Sequence, residues 1–183
     1  MPWTHLEVDV NGGASPCCLY KGSVPGVKVY EQSLKSIQDT EYMVKLREQF
    51  RNGERPSGCQ SCWQEEDVGK TSKRQNSIYK MKTSLTDWTP DSEPTLKYID
   101  FKLGNVCNLK CRICGSWSSS KWAQEEIDYE TAKGGDNPLA RKQLKEGGWP
   151  KKNPQFFEEL QEDLKYVEYF EFTGGEPFMI KDH

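Results

Sequence analysis

The residues best equipped for chemistry are Cys107, Cys111 and Cys114, spaced Cys-x-x-x-Cys-x-x-Cys in the run Cys107-Asn108-Leu109-Lys110-Cys111-Arg112-Ile113-Cys114. One compact loop can aim all three thiolates at a single inorganic core. A 4Fe-4S cube needs four ligands, so three cysteines leave one iron with an open coordination position, where a small molecule can bind metal directly. Zinc accepts the same thiolates, but a structural zinc site normally closes with a fourth Cys or His, and none stands nearby in sequence. His5 and His183 read as bystanders. Further along, Thr173-Gly174-Gly175-Glu176-Pro177 joins a glycine pair to a carboxylate. Glycines let backbone approach a ligand closely, and Glu176 can accept hydrogen bonds from an amino group. A Gly-Gly turn after a strand is commonplace by itself, so its weight comes from the cysteines.

The remaining cysteines form two pairs, Cys17-Cys18 and Cys59-x-x-Cys62 followed by Trp63. Together they supply three or four thiolates for a second metal site. Adjacent cysteines seldom both bind one iron, and Cys17 is slightly favoured over Cys18. Zinc competes with iron-sulfur here, because paired cysteines on turns are also the signature of zinc ribbons.

Several elements must position these groups. Leu6, Val8 and Val10 alternate with polar neighbours, Asn11-Gly12-Gly13 supplies a tight turn, and the chain returns into Pro16-Cys17-Cys18-Leu19-Tyr20, which predicts a β-hairpin. Ser33 is a candidate N-cap for one helix carrying Leu34, Ile37, Met43, Leu46 and Phe50, with Asn52-Gly53 as its stop. The helix delivers Cys59 and Cys62. Residues 83–94, rich in Pro, Ser, Thr and Asp, predict a linker between a unit at 1–82 and another at 95–183. In the second unit Leu96–Leu103 predicts a strand leading into the three-cysteine loop. A helix follows over about 116–130, then a charged, loop-like insertion framed by Gly134-Gly135 and Gly147-Gly148. Asn153-Pro154 caps a helix carrying Phe157, Leu160 and Leu164, and Tyr166–Phe172 predicts a second strand. Strand, helix and strand make a β-α-β crossover of a parallel sheet. Both candidate motifs then follow the C-terminal ends of strands, where such sheets put their sites.

Composition narrows the class. The chain has 183 residues, 34% hydrophobic and 29% charged, with a formal charge of −3. That charge gives no general attraction for nucleic acid or anionic membranes. With no secretory leader and no apolar run of bilayer length, the reading is a soluble cytoplasmic protein, whose seven cysteines are metal ligands rather than disulfide partners. Gly69-Lys70-Thr71 lacks the upstream glycine of a phosphate loop and is set aside. Lys70, Lys73 and Arg74 read as a solvated basic face, and Trp63 and Trp117 as shields beside the cysteines.

The cysteine spacing after a first strand, with the glycine turn after the next, resembles the radical S-adenosylmethionine (SAM) superfamily. The resemblance implies an α/β fold: a small α+β metal-binding unit followed by the first β-α-β units of a partial (β/α) barrel, incomplete because the chain ends just after the second strand. It implies that Cys107, Cys111 and Cys114 hold a 4Fe-4S cluster, and that Ile113, Gly174, Gly175, Glu176 and Pro177 contact SAM. Ile113 stands where the family commonly has an aromatic residue. The open iron would chelate SAM, and an electron from the reduced cluster would release a 5'-deoxyadenosyl radical that takes hydrogen from substrate. No catalytic residue beyond the cluster and SAM site is assigned. The first unit resembles the SPASM or twitch auxiliary-cluster domains, through Pro16-Cys17-Cys18, Leu46-Arg47 and Cys59-Gln60-Ser61-Cys62-Trp63, although those domains usually follow the SAM domain. This implies an auxiliary iron-sulfur cluster, a peptide or protein substrate, and a reductant such as flavodoxin or ferredoxin. The alternative is a non-catalytic zinc- or iron-sulfur-binding module for interaction or electron transfer.

Overall fold

The computed structural model describes residues 1–81 and 85–180. Lys82 at the end of the first unit, Thr83 and Ser84 at the start of the linker, and Lys181, Asp182 and His183 lie outside the described residues. The described chain is mixed α/β, with four strands and seven α-helices. Strands β1 (His5–Val8), β2 (Ala14–Ser15), β3 (Tyr98–Phe101) and β4 (Tyr169–Phe172) form one sheet in the order β2-β1-β3-β4. β1 and β2 pair antiparallel, as the hairpin reading requires, with Gly12 at φ +76° in the turn. β3 and β4 pair parallel, as the crossover reading requires.

The join between the two halves differs from a linker separating independent units. β1 pairs in parallel with β3, and one apolar core takes Leu6, Val8, Leu34, Ile37, Met43 and Leu46 from the first half with Ile99, Phe101, Trp149, Phe156 and Leu160 from the second. β1 presents residues to two covered faces, so all four are buried despite the alternating pattern.

The helix expected from Ser33 is two. α1 (Leu34–Gln38) stops at Asp39, and α2 (Glu41–Arg51) restarts behind Thr40, an extended residue whose side chain accepts from the Met43 amide. Buried Arg47 donates to the Gln38 carbonyl at 2.8 Å, closing the end of α1. Short polar caps compete with helix continuation, which is why one apolar stripe spans two helices. α3 (Gln60–Asp67) and α4 (Lys73–Lys80) follow, the latter opened by a Ser72/Gln75 capping box.

After β3, α5 (Ser120–Ala132) begins behind Ser119. The insertion read as loop-like contains a helix, α6 (Pro138–Glu146), with Asn137 accepting from the Ala140 amide and Pro138 in the first turn. α5 and α6 bury Ala123, Ile127 and Ala140 between them. The next helix, α7 (Phe156–Asp163), starts behind Gln155 and buries Phe156, shifted one residue from the apolar face expected from Phe157. Among the described residues no helix is long and apolar enough to cross a membrane.

Candidate metal centres and the polar face between them

The loop after β3 is built by its neighbours. Asn105, almost fully buried, donates through Nδ2 to the carbonyls of Ser116 at 3.0 Å and Gln143 at 3.2 Å, and its amide donates to Gly147 O at 2.9 Å. The end of the insertion therefore clamps the approach to Cys107. The start of α5 holds the loop from the other side. The Cys107 amide donates to Ser120 Oγ at 3.2 Å, Ser119 Oγ donates to Leu109 O at 2.7 Å, and Trp122 Nε1 donates to Cys111 O at 3.0 Å. Lys110 pairs with Glu125 and lies over the Trp122 ring. Cys107 and Cys114 are half-buried and Cys111 is exposed. Partial burial first, and then the adjacent Cys111 and Cys107 thiols, push the Cys114 thiol up.

The glycine turn meets this loop through backbone. Gly174 and Gly175 adopt φ +72° and +54°. The Gly175 amide donates to Ser118 O at 2.9 Å and the Glu176 amide to Val106 O at 2.8 Å, directly before Cys107. A Cβ at Gly175 would stand 2.6 Å from Val106 O and 3.0 Å from Gly104 O, so glycine is required for the approach. Pro177 begins a short 3-10 turn, Pro177–Met179. Ile113 is 91% exposed, and the Trp117 ring lies against Gly115, where an added Cβ would stand 2.2 Å from it.

The N-terminal cysteines divide. Cys17, Cys59 and Cys62 line one small, mostly apolar cavity with Pro16, Tyr20, Leu46, Phe50 and Arg74. Burial pushes the Cys17 thiol up to about 12, with Cys18, Cys59 and Cys62 adding to it, and burial and Cys62 push Cys59 to about 11. Cys18 faces elsewhere. Burial raises its thiol, and Lys73, Asp100, Glu7 and Glu171 are the charged groups acting on it. Among the described residues no three His, Cys, Asp or Glu side chains stand in an arrangement that would hold a metal ion. The donor chemistry nevertheless fits an iron-sulfur group, with three thiols on one water-poor cavity and a cation beside them. Residues 1–63 match the family model of the SPASM iron-sulfur cluster-binding domain. All four N-terminal cysteines fall inside that SPASM stretch, so iron-sulfur binding is the reading that holds for this part of the chain. No curated protein and no solved structure matches the chain.

Across the sheet runs a feature that sequence reasoning missed. Parallel register puts Glu7, Asp100 and Glu171 side by side on one sheet face, with His5, Tyr98 and Tyr169 in the row behind. Lys102 pairs with Glu7, and Lys73 with Glu171 at 3.2 Å and with the Tyr98 hydroxyl at 3.2 Å. Asp100, 4% exposed, accepts from Thr173 Oγ1 at 2.7 Å, which ties the row to the glycine turn. Burial raises the carboxyls of Glu7 and Asp100. Burial also acts on Glu171, but hydrogen bonds from Tyr98 and Lys73 outweigh it and lower that carboxyl. The basic face expected to be solvated is thus largely committed, since Lys73 holds Glu171 and Arg74 holds Glu66. The available signal was one acidic residue at the same place in each of three strands, invisible until register is known.

Proposed function

We propose that the chain is the cluster-bearing part of a radical SAM enzyme, in which Cys107, Cys111 and Cys114 hold a 4Fe-4S cluster, Gly174, Gly175, Glu176 and Pro177 bind SAM, and the SPASM stretch carries an auxiliary cluster. The observation that carries this reading is the hydrogen bond from the Glu176 amide to Val106 O at 2.8 Å, which seats the glycine turn on the residue before Cys107. Two motifs far apart in sequence share one mouth at the C-terminal ends of β3 and β4, where parallel sheets collect ligands.

When bound, cluster and SAM supply a carbon-centred radical that the protein's own side chains cannot provide. The chain's residues orient and sequester. Asn105, Ser119, Ser120 and Trp122 fix the loop backbone. Glycine at 174 and 175 keeps the turn free of side chains, and Glu176 offers a carboxylate to an amino group. The buried row of Glu7, Asp100 and Glu171, held by Lys102, Thr173 and Lys73, braces the sheet beneath the glycine turn, and the substrate of such an enzyme would be a peptide or protein. A small electron-transfer protein of the flavodoxin or ferredoxin kind would approach the exposed Cys111 side of the loop. Cys17 rather than Cys18 joins Cys59 and Cys62 as an auxiliary ligand, since those three share the cavity.

The test is equilibrium SAM binding to the anaerobically reconstituted chain, followed by dialysis. Wild type should bind SAM, Glu176→Ala should bind at least tenfold more weakly with the same iron content, and Cys111→Ala should not bind. SAM binding that ignores both substitutions would refute the assignment.

A further inference from the structure

Arg74 lies outside the stretch that matches the SPASM domain, yet it lines the cavity shared by Cys17, Cys59 and Cys62. Its position is strongly determined. Its Nε donates to Glu66 Oε1 at 3.2 Å, and a second nitrogen, Nη2, pairs with Glu66 Oε2. The guanidinium lies 4.5 Å from the centre of the Trp63 ring, next in sequence to Cys62. Glu66 is itself held by Ser72 Oγ at 2.5 Å, and Ser72 caps the helix on which Arg74 stands. An ion pair that the helix cap braces, and a ring face, therefore hold one guanidinium. A long side chain on a free surface has no need of them, because holding it in one rotamer costs side-chain entropy of about 2 kcal/mol.

We propose that Arg74 is a positioning residue for the auxiliary iron-sulfur site, a fixed cation and N–H donor that stabilises the more negative, reduced state of the group held by Cys17, Cys59 and Cys62. The inference rests on the iron-sulfur reading of that site. Its physical basis is twofold. An arginine keeps its charge at any working pH, and Glu66 occupies Nε and Nη2, leaving Nη1 without a hydrogen-bond partner among the described residues. Hydrogen bonds and nearby charge at cluster sulfurs are among the levers that set reduction potential, and each acts more strongly where water is scarce. Glu66 offsets part of the cation's charge, so the two side chains should act in opposite directions.

The experiment uses the full chain carrying Cys107→Ala, Cys111→Ala and Cys114→Ala, so that only the auxiliary site is read, reconstituted with iron and sulfide and titrated by EPR against a set potential. Arg74→Met should leave the iron and sulfide content unchanged and cut the reduced-to-oxidised ratio at fixed potential by about tenfold, a midpoint lower by about 59 mV for one electron. Arg74→Lys, a charge without the fork, should fall between. Glu66→Gln should move the midpoint upward. Unshifted midpoints in loaded Arg74→Met and Glu66→Gln would overturn the proposal. Should Arg74→Met not load, the upward shift of Glu66→Gln decides, and its absence refutes. A background chain that takes up no iron and sulfide would instead sink the auxiliary-cluster reading on which the proposal rests.

Discussion

Substituting Gly175 by alanine probes the contact on which the proposed SAM site depends. The cost has two parts. At φ +54° an L-residue loses roughly 1–2 kcal/mol of conformational free energy relative to glycine. The added Cβ would stand 2.6 Å from Val106 O and 3.0 Å from Gly104 O, both backbone atoms that no rotamer change can move. The turn must withdraw, which strains or breaks the hydrogen bonds Glu176 N to Val106 O at 2.8 Å and Gly175 N to Ser118 O at 2.9 Å, each contributing about 1 kcal/mol. Gly134 separates the two parts, since it has φ +76° with nothing within 4 Å of an added Cβ. Gly134→Ala should therefore cost about 1–2 kcal/mol and Gly175→Ala about 3–4 kcal/mol. The difference of roughly 2 kcal/mol corresponds to a melting temperature about 4–8 °C lower for a chain of this size. Urea unfolding of both variants, with SAM binding measured alongside, is the assay. Equal destabilisation of the two variants, or full SAM affinity in Gly175→Ala, would refute the reasoning.

Three further outcomes follow from the same geometry. Cys17→Ser should abolish auxiliary iron uptake while Cys18→Ser retains it, as read by iron and sulfide counts in the chain lacking the three loop cysteines; equal losses would contradict the division of the pair. Ser119→Ala removes both the cap on α5 and the bond to Leu109 O, and should cost about 1 kcal/mol in unfolding and make the loop cluster more labile to chelator than in Ser118→Ala. Asp100→Asn tests the buried row. Burial raises this carboxyl above its unfolded value of 3.8, so the native state holds the proton more tightly and the group costs stability as pH rises from about 4 through the raised value. The asparagine variant should gain on wild type over that rise and keep a constant advantage above it, and a loss of ground with rising pH would show that Lys102 and Lys73 more than offset the burial.

Much of the candidate site's backbone framework was legible because it is written locally. The loop at Cys107–Cys114 and the turn at Gly174-Gly175 carry their requirements in consecutive residues, and strand alternation placed both after β3 and β4. The Pro16-Cys17 hairpin was legible for the same reason. What failed depends on packing between distant segments. Nothing near Leu6 says that β1 would pair with β3, and so the shared sheet and the Glu7-Asp100-Glu171 row were hidden. The break at Thr40 was masked by an apolar stripe that continues across it, although Thr is a good N-cap. The insertion helix α6 was misread because flanking glycines and lysines outweighed Asn137-Pro138, the same cap signature credited at Asn153-Pro154, where the helix starts behind Gln155 instead. Arg74 looked like one cation among several, and only its stacking on Trp63 and its place at the cavity distinguish it.

The most direct test of the central claim is anaerobic reconstitution of the purified chain with iron and sulfide, counting iron, sulfide and zinc and recording EPR of the reduced protein with and without SAM. Two clusters predict about eight irons per chain and a spectrum that SAM perturbs. Zinc bound without sulfide, or a cluster spectrum indifferent to SAM, would contradict it and leave a metal-stabilised module in place of an enzyme.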